Sequence, residues 1–118
     1  MTKTLEELAA VELPTLGTYK FIVAEISDGK SIKAVLVGSP KYGYHADIAS
    51  AYSRHLPDGV QMGYPSGGGR IRVTDKLLYA YGYSGSYGIA PQETVQKLLE
   101  DYAKNKGLEV KVEMGTGY

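Results

Sequence analysis

The sequence predicts an α/β (α+β) fold, a single domain in which a mixed, roughly six-stranded central sheet is flanked by a main helix on each face. A length of 118 residues suits one hydrophobic core, so the whole chain, 1–118, is expected to form one domain. Short runs of β-branched and aromatic residues, separated by Gly, Pro and Asp, indicate the strands. Two amphipathic stretches, far apart in the sequence, indicate the helices.

The first third of the chain is predicted to form a short helix and a β-hairpin. Residues 4–10 have the spacing of a helical capping box, and Pro14 ends whatever precedes it. Residues 18–26 and 31–38 are rich in apolar and β-branched residues, with the turn sequence Ser27-Asp28-Gly29-Lys30 between them. Both runs are apolar on both faces, which predicts a central position in a covered sheet.

The remaining elements follow from periodicity and from turn residues. Apolar residues at helical spacing predict a helix over residues 45–56, and a second helix that starts at Pro91 and is capped by Gly107. Further strands are predicted, in chain order, at residues 60–64, 70–74, 77–83 and 108–114. The glycine triplet Gly67-Gly68-Gly69 is predicted to be a bulged turn.

Composition limits the classes of function. Thirteen basic and thirteen acidic residues give a net charge of zero, so no nucleic-acid partner is expected. Cysteine is absent, which excludes disulfides, thiolate nucleophiles and zinc–thiolate sites. The first ten residues contain Glu6 and Glu7 and have no continuous apolar core like that of a signal peptide. No segment approaches the length of a membrane span. A cytoplasmic protein without a membrane partner is therefore expected, and a monomer is a separate expectation that composition does not decide.

The segment Tyr44-His45-Ala46-Asp47-Ile48 is the leading candidate for chemistry. His45 lies at the predicted start of a helix, where free backbone N–H groups and the helix dipole favour an anion such as phosphate. The same field disfavours imidazolium, which helps keep His45 neutral and able to accept a proton. Taken alone, however, a histidine at a helix start is more often an ordinary surface or packing residue. The other histidine, His55, is interpreted as structural.

Two glycine-rich segments are further candidates for anion binding. Successive N–H groups of Ser84-Gly85-Ser86, with the two hydroxyls, can form an anion-binding nest, although an ordinary loop before the second helix is the alternative. The Gly67-Gly68-Gly69 triplet lacks the Lys-Ser/Thr ending of a P-loop and the context of a dinucleotide-binding turn. His45 and His55 have no third ligand type at a suitable spacing, so neither a metal nor a cofactor is expected.

Three segments taken together resemble the Janus/Ocnus family. In order and spacing they are Tyr44-His45-Ala46-Asp47-Ile48, Gly67-Gly68-Gly69-Arg70-Ile71 and Tyr81-Gly82-Tyr83-Ser84-x-x-Tyr87-Gly88. Lys20 in the first long strand and the final Gly117-Tyr118 also match, so the resemblance covers nearly the whole chain. The family includes protein histidine phosphatases (phosphohistidine phosphatases), and its fold, a mixed sheet between two helices, agrees with the predicted one.

The resemblance implies a metal-independent phosphatase that hydrolyses the N–P bond of phosphohistidine in proteins or of small phosphoramidates. It implies that His45 is the general base that activates water, and that Lys20 and the Ser84-Gly85-Ser86 loop bind the phosphoryl group. It also assigns Arg70 to organising the site and places Tyr44 and Ala46 in the phosphate-binding set. A second mechanism, in which His45 is a nucleophile that is transiently phosphorylated, stays open, with the water-activating base preferred.

The chain departs from the family pattern near the site. Val37 stands where the family often has an arginine, eight positions before the histidine, and Lys41 is the candidate replacement. Gly85-Ser86 replaces a bulkier apolar pair in the phosphate loop, which predicts a more open and more polar pocket. Because Val37 removes a positive charge, a second hypothesis stays open: a non-catalytic phospho-ligand binding or regulatory module of the same fold.

Overall fold

The computed structural model describes residues 5–116, and these residues form seven strands, two α-helices and one short 3₁₀ helix. In chain order the elements are the 3₁₀ helix Leu5–Glu7, β1 (Val11–Glu12), β2 (Gly17–Ser27), β3 (Ile32–Ser39), α1 (His45–Arg54), β4 (Gln61–Met62), β5 (Gly67–Val73), β6 (Leu77–Gly82), α2 (Gln92–Ala103) and β7 (Glu109–Met114). Thr4, at the start of the first predicted helix, and the C-terminal Gly117-Tyr118 lie outside the described residues.

All seven strands belong to one mixed sheet. Its strand order is β1-β3-β2-β5-β6-β7, and β4 pairs with β2 beyond the end of β5. The two outer strands, β1 and β7, run parallel to their neighbours, whereas the inner pairs are antiparallel. The long central strand β2 is apolar on both faces, as the sequence predicted, because each face is covered by a helix.

Alternation along β2 divides the core into two layers. Phe21 and Val23 pack with Val95 and Leu99 of α2 on one face of the sheet. Ile22 and Ile26 point to the opposite face, where they pack with Ile48 and other apolar residues of α1. The predicted fold, one mixed sheet with a main helix on each face, is therefore confirmed.

Three local predictions were wrong. Only Leu5–Glu7 of the first predicted helix is helical, and the chain then forms β1, which pairs with Leu36 and Val37 of β3. The strand predicted at residues 60–64 shortens to Gln61–Met62. The Gly67-Gly68-Gly69 triplet is not a bulged turn but the first half of β5, in regular register with Val23, Ile22 and Phe21. In all three segments, pairing with a distant strand decided the secondary structure: β1 with β3, β4 with β2, and β5 with β2.

Tyr52 on α1 has a titration behaviour that can be tested. Burial, followed by the negative charge of Glu12, raises the pKa of Tyr52 to about 12. A tyrosine in the unfolded chain loses its proton near pH 10, so stability present below that pH is lost as the pH rises to 12. We expect this loss to be about 1–2 kcal/mol, allowing for partial solvent screening. Urea unfolding at pH 9 and 12 should show it in the parent, and Tyr52→Phe should show a correspondingly smaller loss.

Candidate active site

The site begins with a row of basic side chains across the sheet. In the β2–β5 register Lys20 lies directly opposite Arg70, on the face of the sheet that α1 covers. Both line one recess of about 350 Å³, together with Tyr42 and Gly43 of the loop that leads to α1. Lys20 Nζ donates a hydrogen bond to the Gly43 carbonyl, 2.6 Å away. The acceptor in this contact is a neutral carbonyl and not a carboxylate, so the contact is a hydrogen bond and not an ion pair.

His45 is the first residue of α1, and its side chain is turned into the protein, with 4% exposed. Its Nε2 lies 3.0 Å from the Gly69 carbonyl oxygen of β5. Because a carbonyl oxygen can only accept, Nε2 carries the proton, and the neutral ring has Nδ1 as its basic nitrogen. The contact thus fixes both the tautomer and the orientation of the ring.

Glycine at position 68 makes this arrangement possible. A Cβ built on Gly68 would lie 2.6 Å from the Phe21 carbonyl oxygen, 2.8 Å from His45 Cδ2 and 3.2 Å from Ser84 Cβ. The imidazole of His45 and the Ser84 side chain therefore occupy the space that a side chain on β5 would fill. The bare backbone lets α1 and the loop after β6 meet above the same point of the sheet.

The environment of His45 favours the neutral imidazole. Burial lowers the pKa of His45, and the positive charges of Lys20 and Arg70 lower it further, whereas the hydrogen bond to the Gly69 carbonyl raises it. The net direction is downward. This agrees with the neutral state expected from the helix start, but burial is the largest cause.

The pKa of His45 gives a test that does not depend on activity. Substituting Lys20 by methionine removes a positive charge that disfavours imidazolium, so the pKa of His45 should rise towards its ordinary value of about 6.5. NMR titration of the ring protons in both proteins measures the change. His55 serves as the internal reference, since its Nδ1 bonds the Ala51 carbonyl at the other end of α1. A downward shift in the Lys20→Met variant would contradict this electrostatic description.

The start of α1 offers backbone donors beside His45. Tyr44 is the N-cap residue, its side chain forms no capping hydrogen bond, and its carbonyl accepts the N–H groups of Asp47 and Ile48. The N–H groups of His45 and Ala46 find no acceptor within residues 5–116. The Tyr44 ring is 72% exposed, and Lys20 Nζ lies 5.7 Å from its centroid. Lys20, Tyr44, His45 and Ala46 are thus brought together.

The loop after β6 has a different internal arrangement from the one predicted. Ser84 is buried, and its Oγ accepts hydrogen bonds from the N–H groups of Ser86 and Tyr87. Its own N–H donates to the Gly88 carbonyl, and Gly88 donates back to the Ser84 carbonyl. Ser84 therefore holds the loop in shape. Gly85 and Ser86 are both exposed, so the Gly85 N–H and the Ser86 hydroxyl are the loop's candidate donors for a ligand.

Val37, which departs from the family pattern, and Lys41, its candidate replacement, also have places in the structure. Val37 is buried in the α1-side core, opposite Ile22 of β2. The Lys41 ammonium lies 5.5 Å from the centroid of the Tyr42 ring, and Lys41 is not among the residues that line the recess of Lys20 and Arg70. The structure therefore does not bring Lys41 into this recess. His45, Ala46, Ser84 and Gly85 do not line it either, but the charges of Lys20 and Arg70 act on His45.

Sequence reasoning did not identify two contributors to the site, the carbonyls of Gly43 and Gly69. Each orients a functional side chain, Lys20 and His45 respectively, through a backbone oxygen. The only sequence signal was the glycine triplet itself, whose meaning depends on what packs against it.

Residues 5–116 contain no group of three or more His, Asp or Glu side chains placed to hold a metal ion. In the same part of the chain neither helix has the length and apolar character needed to cross a bilayer.

Comparison with known proteins supports the motif-based assignment. The family model described as Janus/Ocnus family (Ocnus) matches residues 5–106, which is most of the chain and includes the β2 lysine, the start of α1, the glycine strand and the serine loop. No curated protein matches the chain. Since the family model covers far more than half of the sequence, the chain belongs to the Janus/Ocnus family.

Proposed function

We propose that this protein is a metal-independent protein histidine phosphatase, which hydrolyses the N–P bond of phosphohistidine. The observation that carries the proposal is the fixed tautomer of His45: Nε2 bonds the Gly69 carbonyl, which leaves Nδ1 as the basic nitrogen of a residue that also begins α1 and its free N–H groups. A base and an anion site in one corner are the groups that hydrolysis of a phosphoramidate needs.

Each residue has a defined role in the proposed reaction. Nδ1 of His45 takes a proton from water as the water oxygen attacks phosphorus. The N–P bond breaks with its electron pair going to the substrate imidazole, which carries a proton on its other ring nitrogen and leaves as neutral imidazole, and the water oxygen becomes part of inorganic phosphate. Lys20 and Arg70 supply positive charge, and the N–H groups of Ala46 and Gly85 donate to the phosphoryl oxygens. Little covalent assistance is needed, because a protonated nitrogen is already a good leaving group.

One observation favours a different function. Val37 is buried and uncharged, and Lys41 does not line the recess, so the site has one positive charge fewer than the family pattern offers. A weaker field binds phosphate but stabilises the transition state less. The second candidate is therefore a non-catalytic phospho-ligand binding or regulatory module.

Phosphate release from phosphohistidine, measured with a chelator present, separates the two functions. The proposal predicts turnover by the parent protein that the chelator does not reduce. The binding module predicts phosphate-dependent binding without turnover. Absence of turnover with phosphohistidine, phospholysine and small phosphoramidates would rule out the phosphatase.

A further inference from the structure

The face of the sheet that carries the site extends beyond α1. This helix packs on β2 and β3, whereas α2 covers the opposite face of the sheet. On β5, β6 and β7 every second residue, such as Ile71, Leu78 and Val112, belongs to the α2-side core. The residues between them therefore point to the α1 side. We call this surface the open face, and its residues are Arg70, Arg72, Tyr79, Tyr81, Lys111 and Glu113.

Strand register arranges the open face in two rows that start near the phosphoryl site. The first row runs from Lys20 across the strands and consists of Lys20, Arg70, Tyr81 and Glu113. The second row lies one pleat further from the site and consists of Thr18, Arg72, Tyr79 and Lys111. The open face is therefore continuous with the recess of Lys20 and Arg70.

Two tyrosines form a fixed platform at the centre of the open face. The rings of Tyr79 and Tyr81 stack with centroids 4.9 Å apart, and both side chains are partly exposed. The Tyr79 hydroxyl donates to Glu113 Oε1 at 2.6 Å. Lys111 Nζ lies 3.7 Å from the same carboxylate oxygen and 5.1 Å from the Tyr79 centroid. The tyrosine hydroxyl and the lysine thus both contact Oε1 of the Glu113 carboxylate.

Among the described residues 5–116, the charges on this side of β2, β5, β6 and β7 are predominantly positive. Lys20, Arg70, Arg72 and Lys111 carry four positive charges, and Glu109 and Glu113 carry two negative ones. The turn after β5 adds Asp75 and Lys76, which cancel. Arg72 is exposed and has no ion pair within residues 5–116. It is therefore available to an acidic group of a partner.

We propose that the open face binds the polypeptide of a phosphorylated substrate protein, and that it selects acidic residues near the phosphohistidine. This inference rests on the proposed phosphatase function. Three observations support a polypeptide as the occupant. Arg72 offers a positive charge to an acidic side chain, the stacked tyrosines offer an aromatic surface, and the open face is continuous with the recess of Lys20 and Arg70. A single-stranded nucleic acid is a less suitable occupant, because a continuous phosphate backbone crossing the sheet would meet Glu109 and Glu113 on β7.

Sheet geometry gives the expected position of the acidic residue. Arg72 lies one strand across and two residues along from Lys20, which is roughly 5 Å sideways and 7 Å lengthwise. The diagonal is about 8 Å, and an extended chain rises about 3.3 Å per residue. The preferred Asp or Glu should therefore lie about two to three positions from the phosphohistidine.

Charge reversal at Arg72 tests the proposal with three substrates. These are free phosphohistidine, a phosphohistidine peptide with Glu at the second and third positions from the phosphohistidine, and the same peptide with Gln there. We expect the parent to prefer the acidic peptide, and Arg72→Glu to lower kcat/KM for that peptide by about five- to tenfold while leaving free phosphohistidine unchanged. The preference should shrink at high salt. Lys30→Glu, in the β2–β3 turn at the far end of β2, makes the same charge change and should alter nothing.

Failure of this inference is distinguishable from failure of the proposed function. If no phosphohistidine substrate is hydrolysed, the phosphatase proposal fails. Binding of the unphosphorylated acidic peptide, followed by chemical shifts of Tyr79 and Tyr81, then tests the open face by itself. An equal effect of Arg72→Glu on all three substrates, or no effect on any, overturns the docking proposal. It is also overturned if a single-stranded oligonucleotide, rather than the acidic peptide, shifts the tyrosine signals.

Discussion

Replacing His45 by alanine should reduce phosphate release from phosphohistidine by at least about 100-fold, since a positioned general base typically contributes 10²–10⁴-fold. The variant loses Nδ1, the only nitrogen of the ring not bound to the Gly69 carbonyl. Lys20, Arg70 and the loop after β6 remain, so binding of inorganic phosphate should persist. The measurement is steady-state phosphate release alongside phosphate titration.

A second substitution separates loss of the base from loss of structure. The alanine variant leaves the buried Gly69 carbonyl without its side-chain donor, at a cost of about 1–3 kcal/mol. Glutamine at the same position has an amide that can donate to that carbonyl but has no basic nitrogen. We expect His45→Gln to be inactive yet closer to the parent in stability, and His55→Ala to be active. Turnover equal to the parent in both His45 variants would remove His45 from the mechanism.

Rapid quenching distinguishes the two roles open to His45. A water-activating base never carries the phosphoryl group, so no phosphorylated protein should accumulate during turnover. A nucleophile would give a transient phosphohistidine at position 45 and a burst of the free leaving group. Mass spectrometry of the quenched protein detects that intermediate. We expect none.

Gly68→Ala should impair both folding and activity. The added methyl would lie 2.6 Å from the Phe21 carbonyl oxygen, and a main-chain atom of the central strand cannot move aside cheaply. It would also contact the His45 ring at 2.8 Å and displace it from the Gly69 carbonyl. Overpacking of this kind costs about 1–3 kcal/mol or more. We expect a lower free energy of unfolding and a loss of turnover comparable to that of His45→Ala.

Gly63→Ala is the matched control for this substitution. Gly63 lies just after β4, and a Cβ there would meet only the Glu25 carbonyl oxygen at 3.6 Å, an ordinary van der Waals distance. Urea unfolding and phosphate release should both remain close to those of the parent. If Gly68→Ala behaved like this control, the close approach of His45 to β5 would not be needed for the site.

The N-terminal segment and the glycine triplet of β5 show where local sequence pattern fails to predict secondary structure. The capping-box spacing near the N-terminus predicted a helix, but only Leu5–Glu7 is helical because the next residues gain more by pairing with β3. The glycine triplet has low strand propensity and was assigned to a turn. Pairing with β2 over seven residues makes it a strand.

Other elements were predictable because their signal is local and repeated. The hairpin turn depends on Asp28, whose carboxylate accepts the N–H groups of Lys30 and Ser31. The face of α2 that carries Val95 and Leu99 repeats at helical spacing and is buried as predicted. Strict alternation in β7 likewise matches its burial pattern.

The sequence by itself determined the two helices, the hairpin, the candidate base and the family, because these depend on spacing along the chain. Only the tertiary structure decided that His45 bonds Gly69 through Nε2, that Ser84 holds its own loop, and that Lys41 lies outside the recess. The open face likewise follows from strand order, since Lys20, Arg70 and Tyr81 become neighbours only through pairing. Which nitrogen is basic, and which charges share a surface, depends on contacts between residues far apart in the sequence.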